Sequence, residues 1–217
     1  YVCVCVCVCF FPFSNSYAFH TPRYACLVTD FYPGSDLCAL CDKLQSFSEE
    51  MAKFYIAECV LALETVHSLG YVHRDFKPEN VFLDARGHIY LGDFGSCTKL
   101  DGNKVPKERR IHAFNSPEYI APELMLAMHG STSVEYGAEC DWWSLGVVMY
   151  ELLHGVGPFE ADTVLETHNK VTNYERYLTF GSVDLSDDCK DLIEKLVTKR
   201  IGRLGFHGVA DIKSFLF

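Results

Sequence analysis

The chain has 217 residues, 49% of them hydrophobic and 22% charged, with a formal net charge of −10. That is enough chain and enough apolar content for one domain with a substantial core, and no apolar run reaches the roughly 18 residues of a membrane span. The acidic balance argues against a nucleic-acid partner, which calls for a basic face.

The chain opens on Val2-Cys3-Val4-Cys5-Val6-Cys7-Val8-Cys9, followed by Phe10-Phe11-Pro12-Phe13. As a strand, it would set four thiols on one face, a possible soft-metal site. No His or second Cys pair follows at finger spacing to complete a zinc site. Alternating GTG and TGT codons encode the same run, and a pyrimidine-rich tract encodes the phenylalanines. Residues 1–16 are therefore read as low-complexity sequence, a gene-model artefact resembling intron ahead of a splice acceptor, and are excluded from fold reasoning. There are 11 cysteines, an odd number; those beyond residue 16 mostly lie in apolar periodic segments and read as small buried hydrophobes in a reducing compartment.

From Tyr17 onward the signals are ordinary. Residues 25–31 form a short apolar strand ended by Pro33-Gly34. A short helix is predicted over 36–44. Ser48 is a good N-cap for a longer helix, with Glu49 and Glu50 complementing its dipole and Gly70 stopping it. Along it, Met51, Tyr55, Cys59, Ala62, Leu63 and Val66 recur at helical spacing. Residues 81–83 and 88–91 are strands joined by a turn at Arg86-Gly87. Residues 96–120 read as a long polar, basic loop. A helix starts at Ala121-Pro122-Glu123. Residues 141–150 are apolar almost all round, hence a central buried helix. Further helices are predicted near 162–171, 186–198 and 208–215. The expected fold class is α+β and mainly helical.

Between these elements lies His73-Arg74-Asp75-Phe76-Lys77-Pro78-Glu79-Asn80, and thirteen residues after Asn80 comes Asp93-Phe94-Gly95. Phosphoryl transfer needs a carboxylate to accept the substrate hydroxyl proton and oxygen ligands for magnesium on the nucleotide, and these two loops supply both. With Ala121-Pro122-Glu123, Asp141-Trp142-Trp143-Ser144-Leu145-Gly146 and Arg203-Leu204-Gly205 following in order, residues 17–217 resemble the large lobe of a eukaryotic Ser/Thr protein kinase. The likeness is greatest to the AGC group and its myotonic-dystrophy-kinase, Cdc42-binding and Rho-kinase subfamily.

The resemblance implies a partial protein kinase domain over 17–217, hinge plus C-terminal lobe, using ATP and Mg2+. It makes Asp75 the catalytic base, Lys77 the neutraliser of charge on the transferring phosphoryl, and Asn80 and Asp93 the magnesium ligands. Thr29 would back the adenine pocket, with Asp30 to Pro33, including Tyr32, as the hinge. Phe82 would be the pocket floor and Asp36 a ribose contact. Glu79 and Glu151, with Asp36, match arginine-binding positions, which implies a basophilic kinase, and Ser116 keeps a hydroxyl for Asp75 and Lys77. Glu123 would pair with Arg203, and Asp141 would hold the catalytic-loop backbone from beneath. His73 reads as a packed structural residue, and Arg74 as either a phosphate binder or structural. The implied partners are protein substrates with basic residues near Ser or Thr, and a Rho-family GTPase acting through parts outside this chain; the implied location is cytoplasmic.

Several positions depart from the family pattern. Phe76 replaces Leu or Ile, Asn115-Ser116 replaces Gly-Thr, Pro33-Gly34-Ser35 replaces a glycine pair, and Lys213 to Phe217 is a degraded terminal motif. No Gly-rich loop or Val-Ala-Ile-Lys strand precedes Asp75 in these residues, so the chain alone is expected to be a fragment with little activity. The alternative is a non-catalytic kinase-like scaffold. The strand at 25–31 is expected to present an unpaired edge.

Overall fold

The computed structural model describes residues 17–102, 105–107, 116–128, 135–181 and 183–216. The Val-Cys repeat, Asn115, Phe217 and most of the basic residues of the 96–120 loop lie outside them.

Two strands come first, β1 (Tyr17–His20) and β2 (Ala25–Val28), paired antiparallel with Tyr17 opposite Val28. Only β2 was expected, and it is shorter than the 25–31 run. β1 occupies one edge of β2, so that edge is not left open. Next come α1 (Leu37–Leu44) and α2 (Glu49–Ser68). Asp36 caps α1 from outside rather than beginning it, its carboxylate accepting the Ala39 amide at 2.9 Å. Ser48 caps α2 by accepting the Met51 amide. Along α2, Ala52, Tyr55, Ile56, Cys59, Val60, Leu63 and Val66 are buried, a stripe at helical spacing.

β3 (Tyr71–Val72) leads into residues 73–80, called the catalytic segment for their resemblance to the kinase catalytic loop, which end in a 3₁₀ turn at Pro78–Asn80. β4 (Val81–Leu83) and β5 (Ile89–Leu91) then form the expected hairpin. The long loop has more structure than its composition suggested. Phe94–Ser96 is a 3₁₀ turn, β6 (Thr98–Lys99) pairs antiparallel with β3, and Pro117–Tyr119 is another 3₁₀ turn. These short pieces take their conformation from partners distant in sequence.

The remaining helices are α3 (Pro122–Met128), α4 (Glu139–His154), α5 (Val164–Thr172), α6 (Tyr174–Tyr177), α7 (Asp187–Leu196) and α8 (Val209–Leu216). Helix α4 is the axis of the core: every residue except Glu151 and His154 is buried. α2 and α7 pack against it. The α4–α7 approach is close enough that a Cβ at Gly146 would sit 2.7 Å from Leu196 and Val197 side-chain carbons. Cys41, Cys59, Cys140 and Cys189 are buried, and all seven cysteines of the described residues are free thiols.

Candidate active site

The catalytic segment is fastened from below by one buried carboxylate. Asp141, in the first turn of α4, accepts the His73 amide at 2.9 Å on Oδ2 and the Arg74 amide at 2.8 Å on Oδ1. His67, in the last turn of α2, reaches the same Oδ2 at 2.7 Å. Full burial alone would raise the Asp141 pKa, but the His67 hydrogen bond, the His67 and His73 charges and the His73 amide together hold it below its ordinary value. Arg74 has φ 68°, a left-handed backbone uncommon for a branched-chain-free but bulky residue. Such a conformation persists where its surroundings over-determine it. Its amide is tied to Asp141, and its guanidinium donates to the Ser96 carbonyl at 2.6 Å and the Tyr136 hydroxyl at 3.1 Å.

The segment is also clasped to the Asp93 loop. His73 is buried, as expected of a packed residue. Its Nδ1 accepts the Asp75 amide at 3.3 Å, which leaves Nε2 to donate to the Gly92 carbonyl at 3.0 Å. The Gly92 amide in turn donates to the Asn80 carbonyl at 2.8 Å. The His73 ring meets Phe94 edge-on, centroids 5.1 Å apart.

On this frame Asp75, Lys77, Asn80 and Ser116 come together. Lys77 Nζ is 3.7 Å from Asp75 Oδ1 and donates to Ser116 Oγ at 3.2 Å. Asn80 Nδ2 donates to the Asp75 carbonyl at 2.7 Å and to its Oδ2 at 3.3 Å. Ser116 thus meets Lys77; its hydroxyl makes no hydrogen bond to Asp75 among the described residues. Burial raises the Asp75 pKa, outweighing the opposing Lys77 charge and the Asn80 hydrogen bond, while Asp93 adds to the rise. Asp93 is exposed, with φ 50° and its Oδ1 on the Gly95 amide at 3.2 Å. With the Asn80 amide nitrogen committed to Asp75, the Asn80 Oδ1 and the Asp93 carboxylate are hard oxygen donors. They suit a cation such as Mg2+, which takes one or two protein ligands and completes its shell with phosphates and water.

Of the residues expected on the nucleotide side, Tyr32 and Asp36 lie against β4. The Gly34 amide donates to the Leu83 carbonyl at 3.0 Å and the Leu83 amide to the Ser35 carbonyl at 2.8 Å, which zips the segment after the hinge to that strand. Tyr32 stacks on Phe82 at 5.7 Å and leans on Tyr90 at 4.8 Å. Asp36 faces Phe82 across an isolated bridge. Thr29 and Asp30 are exposed.

On the opposite flank Glu79, Glu118, Glu151 and Glu160 are electrostatic neighbours. Burial, with the charges of Glu79, Glu118 and Glu160, pushes the Glu151 carboxyl from 4.5 up to about 7, against a 2.7 Å hydrogen bond donated by Tyr119. Tyr119, Glu118 and Glu160 had not stood out in the sequence, nor had His67. A histidine in the last turn of a helix was the one visible hint; nothing local marks the other three.

Glu123 and Arg203 pair as expected, bidentate at 2.5 and 3.0 Å. The guanidinium also donates to the Glu139 and Thr198 carbonyls and lies 5.3 Å over the Trp143 ring.

A carboxylate, a lysine and a carboxamide on a buried anchor, clasped to a second acidic loop, form the arrangement expected of the lower lobe of a protein kinase domain. The chain belongs to the protein kinase domain family, whose model matches residues 14–211. Among curated proteins it is 47% identical to rat serine/threonine-protein kinase MRCK beta over 204 residues, covering 93% of this chain and 12% of that protein. It is 46% identical to mouse MRCK alpha over 206 residues, again 93% against 12%. Human MRCK gamma is 44% identical over 204 residues, 93% against 13%. The chain therefore spans about an eighth of the length of these relatives. No helix of the described residues is long and apolar enough to cross a membrane.

Proposed function

We propose that this chain carries the catalytic lobe of an ATP- and Mg2+-dependent protein serine/threonine kinase. The observation that supports this most is the Asp75–Lys77–Asn80 cluster held on Asp141. Asp75 is the base: it orients the substrate hydroxyl and takes its proton as the oxygen attacks phosphorus. The Lys77 ammonium offsets negative charge developing between the acceptor oxygen and the transferred phosphoryl. Asn80 fixes the Asp75 carboxylate and, with Asp93, would hold Mg2+, which when bound neutralises phosphate charge. Thr29, Asp30, Tyr32, Asp36 and Phe82 would receive adenine and ribose. Ser116 would hold Lys77 in line.

The protein substrate would place arginines ahead of its Ser or Thr against Glu79 and Glu151, so the kinase is basophilic. Location in the cytoplasm fits the same reading. A Rho-family GTPase rests on the resemblance alone and would act through sequence outside these 217 residues. The 217-residue polypeptide contains no Gly-rich loop ahead of Asp75, and by itself we expect it to transfer phosphate slowly. One lost preorganised donor already costs about 10²–10³ in rate.

The test joins the upstream kinase residues of rat MRCK beta ahead of Tyr17 and assays an arginine-preceded serine peptide. We expect transfer, and a fall of about 10²–10⁴-fold in kcat for Asp75→Asn. A folded chimera that transfers nothing would establish the non-catalytic scaffold instead, and transfer undiminished by Asp75→Asn would remove Asp75 as the base.

A further inference from the structure

Gly92 lies between β5 and Asp93, and its backbone does not call for a glycine. It is not among the described residues with positive φ, so conformational freedom is not the reason. What excludes a side chain there is Phe82. A Cβ at Gly92 would lie 2.5 Å from Phe82 Cε2 and 3.0 Å from Cδ2, inside the roughly 3.5–4.0 Å at which carbon atoms pack.

Neither backbone is free to retreat. The Gly92 amide donates to the Asn80 carbonyl at 2.8 Å, and the Gly92 carbonyl accepts from His73 Nε2 at 3.0 Å. Phe82 pairs with Tyr90 in the β4–β5 hairpin and bridges to Asp36 on its other side. That leaves the phenyl ring to move, and Tyr32 stacks on its face, centroids 5.7 Å apart and planes 24° from parallel. The Cδ2–Cε2 edge of the ring rests in the space that Gly92 leaves. Gly92 is buried, whereas Phe82 keeps part of its surface open.

We infer that Gly92 is a positioning residue for the nucleotide base: by leaving out a side chain it sets the height and tilt of the Phe82 ring, and the two residues act as a matched pair. The inference rests on the reading of Phe82 as the floor of the adenine pocket. Stacking of a base on an aromatic ring depends on the separation and angle of the two planes. An alanine at position 92 forces the ring off its resting rotamer and spoils that plane. A leucine at position 82 ends at its δ carbons and lacks Cε2, the nearer of the two contacts, so the same alanine costs little beside it. The effect belongs to the base alone, since Asp93, not Phe82, serves the phosphate side.

Two double-mutant cycles test the pair. In the 217-residue chain, Gly92→Ala should lower the urea midpoint, and should lower it much less in the Phe82→Leu background. The second cycle uses the chimera with the rat MRCK beta residues ahead of Tyr17, and calorimetry with adenosine, which has the base and no phosphates. Phe82→Leu should weaken adenosine about fivefold, the loss of a base–aromatic stack. Gly92→Ala should weaken it about tenfold beside Phe82, and less than about twofold in the Phe82→Leu background. Mg-ATP should weaken by the same factors. If Gly92→Ala fails to fold and adding Phe82→Leu restores folding, the clash is located on the Phe82 ring and the pair stands. If neither variant folds, the glycine serves the backbone and the inference falls. It is also overturned by an equal cost of Gly92→Ala in both backgrounds, or by a cost to Mg-ATP that spares adenosine, which would place the effect on Asp93. A parent chimera that binds neither ligand removes the adenine-floor reading and this inference with it; a parent that binds both, with Gly92→Ala binding equally well, overturns this inference alone.

Discussion

The catalytic segment at residues 73–80 and the hairpin at residues 17–28 are both short, irregular pieces of chain, yet they are held in opposite ways. The hairpin is held by its own pairing, β1 against β2, and every residue of β1 is exposed. Among the residues whose burial is described, the first buried hydrophobic is Leu37. The catalytic segment has local hydrogen bonds as well, and includes a left-handed Arg74, but its His73 and Arg74 amides end on Asp141, 68 and 67 residues away in sequence. Local pairing gives a segment its conformation. Only long-range, buried partners give it a position, and Asp75, as the proposed base, needs position to meet a hydroxyl.

The sharpest way to break this contrast is Asp141→Ala. The substitution strips the acceptor from two amides and from His67 inside a fully buried site. Removing one member of such a network typically costs about 3–5 kcal/mol. Urea unfolding should show that loss as a lower midpoint at unchanged slope. A loss below about 1 kcal/mol would mean the segment is positioned by something other than Asp141.

The acidic flank gives a second, smaller contrast, because its glutamates crowd one another where Asp141 has partners. The folded pKa of Glu151 is raised, to about 7, so the native state binds more protons than the unfolded chain between about pH 4.5 and 7. Stability contributed by the protonated form is complete below that window and is lost as pH rises through it. Glu151 is half-buried, so solvent screening trims the effect to about 1–2 kcal/mol. Melting temperature followed from pH 5 to 8 should fall more for the parent protein than for Glu151→Gln, which mimics the protonated form. Parallel curves would show that Glu151 titrates normally.

What could be read from the sequence divides along the same line. Ser48 announced a helix start because a cap acts on the next three residues; Asp36, read as the first helical residue, proved to be the cap itself. Gly70 marked an end for the same local reason. The residues proposed for catalysis and for the metal were legible as a linear motif, and His73 as packing, because such motifs lie within single short loops. β1, β6 and α6 were not legible. β6 is two residues whose strand character comes from β3, and α6 is a single turn following α5. The Tyr119–Glu151 bond and the His67–Asp141 bond join residues 32 and 74 positions apart, and no local pattern encodes such a meeting. Asp36 shows the limit in the other direction: its match to a ribose position said nothing of the cap that engages one of its oxygens.

The smallest expected effect lies in the hairpin. Phe19 is 50% exposed on β1, opposite Cys26 in the register. Phe19→Ser removes apolar surface that the described core does not cover. It also lowers β-propensity, an effect confined to a two-stranded ribbon that is marginal by itself. Exposed substitutions of this kind change stability by about 0.5 kcal/mol or less. The urea midpoint should therefore stay within error of the parent, and the aromatic loss should appear instead as reduced self-association at high protein concentration, since an exposed aromatic strand is a template for edge pairing. A midpoint shift approaching that of Asp141→Ala would mean that Phe19 is docked against a partner surface, and that the hairpin, like the catalytic segment, takes its position from distant residues.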